Sequence, residues 1–149
     1  HIQERDEHRL YSVFHDDLVG NEEPSVERVL EYSLPYLPHT GSLGEMTLSV
    51  GKAVHHYHQG CDGIIDISPF TCMNGIVTEA VYPRVSADHD GIPIRNFFFD
   101  GNQTHLPRDV AIFMELARSY GARKTVARVY PAGFPPAAAH AAGAAPAVA

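Results

Sequence analysis

The chain has 149 residues, a formal net charge of −7 and two cysteines. That length fits one domain with its own core, and the acidic balance gives no electrostatic case for nucleic acid or an anionic membrane surface. No run approaches the roughly 20 apolar residues of a membrane span, the first residues lack a signal-peptide apolar region, and two cysteines do not make a secreted disulfide scaffold, so a reducing cytoplasm is expected. The chain opens on His1-Ile2-Gln3-Glu4 without an initiator methionine, and either a removed leader or, the main expectation, a piece of a longer protein is implied.

Residues 3–18 are polar, with Leu10, Val13, Phe14 and Leu18 at helical spacing. After a turn at Gly20-Asn21, Glu22-Glu23-Pro24-Ser25 reads as a second helix start, with acids and a proline in its first turn. Its apolar stripe is Val26, Val29, Leu30 and Leu34, and Pro35 and Pro38 end it. The third helix is the clearest: Met46, Val50, Ala53, Val54 and Tyr57 share one face, and Gly60 is placed to close it.

Ile64, Ile65 and Ile67 form a short apolar run, consistent with a strand buried on both faces. Ile76, Val77, Ala80, Val81 and Val85 supply another helical stripe, kinked at Pro83. Ile92 to Phe99 reads as a second strand, closed by Asp100-Gly101. A last helix over about Pro107 to Tyr120 turns Val110, Phe113, Met114 and Ala117 inward, with Gly121 as its cap. Thr125 to Tyr130 has the composition of an edge strand. Beyond it the chain is almost all Ala, Pro and Gly, with little side-chain area to bury, and a disordered tail is expected.

Helix, strand, helix, strand, helix is the pattern of an α/β fold: a Rossmann-like layered domain with a small parallel sheet flanked by helices. The expected organisation is an N-terminal helical segment over 1–38, an α/β domain over 39–130 and a tail over 131–149. Two strands make a thin sheet, which again fits a fragment.

One cysteine falls in Asp62 to Gly75, DGIIDISPFTCMNG, where the apolar run stops at Pro69 and a helix starts three residues later. In an open parallel sheet ligands collect beyond the carboxyl ends of the strands. A helix N-terminus there favours negative charge, and thiolate is the form of sulfur that binds metal or attacks carbon. Three roles for Cys72 are compatible with that position: a small buried hydrophobe at a strand–helix junction, a nucleophile with a base supplied from elsewhere, or a metal or iron–sulfur ligand. Cys61 precedes the strand, at the opposite end of the sheet, and is expected to be structural.

The stretch PYLPHTGSLGEMTLSVGKAV, the block DGIIDISPFTCM and the pairing of PRVSADHDG with IPIRNFFFDG resemble the 2-hydroxyacyl-CoA dehydratase-like proteins, including the segment related to acyl-CoA dehydratase activases. The resemblance spans about Leu34 to Tyr120, and the PF-x-CM block is its most specific part. It implies that Cys72 is one ligand of an iron–sulfur cluster, with further cysteines from segments outside this chain. It also implies ATP-driven, low-potential electron transfer, an acyl-CoA substrate in the parent protein, and other domains or subunits of that system as partners. The isolated chain is then expected to hold no cluster by itself. Asn74 stands where the family usually has proline.

Around Cys72 the expected cluster or cleft neighbours are Ser68, Pro69, Phe70, Thr71 and Met73, joined by His39 and Glu45 from an H-x-x-x-G-E-like junction and by Asp100 at the end of the second strand. Glu45 serves equally as a favourable charge at a helix N-terminus, and Asp100 as a turn cap. Ser68, Thr71 and Asn74 have side chains able to donate hydrogen bonds to sulfide or anion. His55, His56 and His58 lack the i, i+4 spacing of a zinc helix and read as a solvated face. The alternatives are a non-catalytic α/β interaction or regulatory domain that has lost the cluster, and a thiol-dependent enzyme using Cys72.

Overall fold

The computed structural model describes residues 2–18, 23–38, 40–41, 44–101 and 105–130; His39 and the tail 131–149 lie outside them. The chain divides into two compact units, one formed by 1–23 with 129–149 and the other by Pro24–Arg128.

In the first unit the expected helix over 3–18 is two helices, α1 (Ile2–Tyr11) and the single turn α2 (His15–Leu18). Ser12 interrupts it: its hydroxyl donates to the Arg9 carbonyl (2.7 Å), and Val13 N–H and Phe14 N–H tighten onto the carbonyls three residues back. Leu10, Val13 and Phe14, the expected apolar stripe, are exposed.

The second unit holds α3 (Val26–Ser33), α4 (Met46–His58), β1 (Ile64–Pro69), α5 (Met73–Asp88), β2 (Ile94–Phe99) and α6 (Leu106–Arg123). Ser25 caps α3 by accepting from the Arg28 N–H. α3 packs on α4 at Gly51, where a Cβ would collide with the Val29 carbonyl, so only glycine admits this approach. Of the expected α3 stripe only Val29 is buried; Val26 and Leu34 are exposed.

β1 and β2 are parallel, in register from Ile64↔Ile94 to Pro69↔Phe99, and α5 connects them as in a βαβ unit. This is the expected α/β architecture with a small parallel sheet. Even-numbered β1 residues face α5: Ser68 lies beneath Gly75, and Asp66 bonds to side chains of α5. α4 packs against both α5 and β1. The core between them is Val50, Ala53, Val54, Ile64, Tyr82, Val85 and Ile92, joined by Tyr120 of α6. α6 lies against the start of the odd-numbered face, where a side chain at Gly63 would meet Phe113, Ala117 and Pro93.

That placement corrects the expectation that β1 is buried on both faces. Ile64 is 8% exposed, but Ile65 is 42% and Ile67 68% exposed, on the face opposite α5. α5 is also rotated from its expected stripe. Ile76 and Ala80 are exposed, while Thr78 and Tyr82 are buried together with Val85. The half-buried carboxylate of Asp66 on β1 accepts from both of those hydroxyls. In α6, Met114 is exposed and Phe113, Ala117 and Tyr120 are buried. That helix runs through Gly121 to Arg123, with Lys124 as its cap. Thr125 to Tyr130 is irregular rather than an edge strand. Its part up to Arg128 is drawn over the α4–β1 turn by Asp62, whose carboxylate pairs with Lys124 Nζ (2.6 Å) and Arg128 Nη1 (3.4 Å). Among the described residues no helix is long and apolar enough to cross a membrane.

Candidate thiol site at the sheet tip

The ladder runs one residue past β1, since Phe70 N–H donates to the Phe99 carbonyl (3.0 Å). Cys72 N–H then donates to the Pro69 carbonyl (3.1 Å), closing a turn whose third residue is Thr71 at φ +66°. A β-branched residue in the left-handed region costs about 1–2 kcal/mol. The strained turn brings Cys72 to the N-cap of α5, with φ −65° and ψ 117°. Its carbonyl accepts from Ile76 N–H (3.0 Å), while its side chain makes no capping hydrogen bond. Cys72 is half-buried, and its sulfur is not engaged in capping the helix start.

Around it the surface is apolar. Phe70, Met73 and Ile76 are exposed, as are Ile65 and Ile67 on the open face of β1. Pro69 and Thr71 are exposed at the strand end. Ser68 is elsewhere: it is buried under the first turn of α5, against Gly75. Asp100 follows Phe99 at the same end of the sheet and is exposed. Gly44 lies against the Asn74 side chain, which sets the Gly44–Glu45 junction beside the first turn of α5. Glu45 is the N-cap of α4 without a side-chain capping bond. Asn74 Oδ1 is buried with no hydrogen-bond partner among the described residues.

Sequence reasoning missed the polar group beneath this tip. Asp66 Oδ2 accepts from the Tyr82 hydroxyl (2.6 Å) and from Thr78 Oγ1 (2.9 Å), and Asn96 Nδ2 donates to Thr78 Oγ1 (3.2 Å). Burial, then the bond to Asp66, pushes the Tyr82 phenol well above its ordinary range, so it remains a donor. The signal was present: an aspartate inside an isoleucine run needs donors, and Thr78 and Tyr82 are four apart on the next helix.

Cys61 sits at the far end. It follows α4 in a Schellman turn: Gly60 N–H donates to the Tyr57 carbonyl (2.8 Å) and Cys61 N–H to the His56 carbonyl (3.0 Å). Burial raises its thiol, with Arg128 and Lys124 acting in the opposite direction. His55 and His58 stack near Tyr32, with ring centroids 6.3 and 5.2 Å away. Burial lowers His55, His56 and His58 below the usual imidazole value. The Tyr57 hydroxyl donates to Asp90 Oδ2 (2.6 Å), and that bond leads the causes pushing its phenol up to about 12.

Among the described residues no group of three or more His, Cys, Asp or Glu side chains is placed to hold a metal ion. Cys72 therefore belongs to no complete metal site among the described residues. No family model, curated protein or solved structure matches this chain.

Proposed function

We propose that the chain lends Cys72 as one thiolate to an iron–sulfur cluster whose remaining ligands come from outside it. The observation that carries this reading is a half-buried cysteine, its sulfur free of capping bonds, on a strained turn beyond the carboxyl end of a parallel sheet. The PF-x-CM resemblance adds the setting: ATP-driven, low-potential electron transfer in a cytoplasmic 2-hydroxyacyl-CoA dehydratase or activase system. The other ligands belong to partner domains or subunits, and the acyl-CoA is bound by the parent protein. When bound, such a cluster supplies one-electron chemistry. Cys72 holds one corner, on a surface where Phe70, Met73 and Ile76 are exposed.

The test uses a preformed [4Fe–4S] cluster ligated by glutathione, mixed anaerobically with the chain. Ligand exchange is expected to carry iron with the protein through gel filtration, to be lost in Cys72→Ala and to persist in Cys61→Ala. Iron retention by Cys72→Ala equal to that of the unaltered chain refutes the ligand role. With only iron and sulfide supplied, no cluster is expected to be retained. The second reading, an interaction domain without a cluster, is favoured by the exposed Ile65, Ile67 and Phe70; it predicts no exchange in either form.

A further inference from the structure

The outer edge of β2 is built as a slot. In the parallel ladder Ile64 N–H reaches the Pro93 carbonyl and Phe70 N–H the Phe99 carbonyl, so odd-numbered β2 residues bond to β1. The backbone N–H and C=O groups of Ile94 and Asn96 consequently point away from β1. They face a cavity of about 430 Å³ that runs between α5 and α6. Its α6 wall is mainly apolar, with Phe113 buried and Ile112 and Leu116 half exposed over the cavity, and carries the Asp109 carboxylate at the helix start. Its α5 wall presents Glu79, an exposed carboxylate without an ion-pair partner among the described residues.

We propose that this slot takes one extended segment of a partner polypeptide, added as a strand along β2, with apolar residues alternating with lysine or arginine. Unpaired backbone groups on an edge specify an extended backbone as occupant. The period-two alternation of a strand then sends one set of side chains to Ile112 and Leu116 and the other to Glu79. The carboxylate on the α5 wall supplies the charge complementarity, since Arg95, at an odd position, faces the α6 side. A second copy is not the matching occupant: its own β2, Ile-Arg-Asn-Phe-Phe-Phe, does not alternate apolar residues with lysine or arginine. The proposal is independent of the role of Cys72.

The experiment titrates the chain with a fluorescein-labelled, capped peptide alternating Lys and Val over seven residues, and with its Glu/Val counterpart. Binding is followed by anisotropy, and amide exchange by NMR. The Lys/Val peptide is expected to bind at least tenfold more tightly and to slow exchange of the Ile94 and Asn96 amides. Ile112→Asp is expected to weaken it at least tenfold and Glu79→Gln severalfold, both with unchanged thermal unfolding, because these side chains are exposed in the free chain. Should Ile112→Asp unfold the chain, Leu116→Lys gives the same reading. Binding that leaves those two amides exchanging at their free rate overturns the proposal. So does equal affinity for the two peptides, or protection of the same amides by self-association without peptide.

Discussion

The two cysteines mark opposite ends of one short sheet, and their surroundings differ in kind. At the amino end the chain closes on itself: the Gly60 turn ends α4, the segment after α6 crosses it, and the Lys124 ammonium bonds both the Gly60 carbonyl and Asp62. At the carboxyl end nothing described crosses Cys72, and the nearest large side chains are exposed. One end thus satisfies its own charges, while among the described residues the other leaves apolar side chains exposed beside Cys72.

The contrast is broken most directly at Gly60. Its φ of +70° and its contact with the Ala127 backbone mean that Gly60→Ala has both a strained conformation and a collision. A loss of about 2–4 kcal/mol is expected in urea unfolding; a loss under about 0.5 kcal/mol would show that the crossing segment is not held there. A smaller effect separates the sulfurs. Both cysteines are half-buried, and burial raises the Cys61 thiol, so iodoacetamide at pH 8 is expected to modify Cys72 severalfold faster than Cys61. Equal rates, read by peptide mass mapping, would remove the distinction between the ends. The smallest effect belongs to the apolar surface beside Cys72: Met73→Ser is expected to change stability by less than about 0.5 kcal/mol, and a larger loss in the same urea series means that this surface is already covered.

Much of the layering was legible because it follows from period and punctuation. The stripe Met46, Val50, Ala53, Val54 is the buried face of α4, and Gly60 ends the helix as its position implies. What sequence did not reveal depends on partners far along the chain. Apolar content alone assigns Ile76 and Ala80 inward, yet α5 turns to deliver Thr78 and Tyr82 to Asp66. Ile67 reads as core, yet it is exposed while its register partner Phe97 is buried. The candidate site divides similarly: Cys72 at a helix start beyond a strand is local and was readable, whereas the Thr71 strain, the burial of Ser68 and the Gly44–Asn74 contact depend on tertiary placement.

The carboxylate of Asp66 also constrains which sequences this fold tolerates. It accepts from both hydroxyls, and Tyr82 depends on it most, because Thr78 also reaches the Gly75 carbonyl and accepts from Asn96. Positions 66 and 82 are therefore the tightly coupled pair, and an aliphatic at one is expected to favour loss of the polar group at the other.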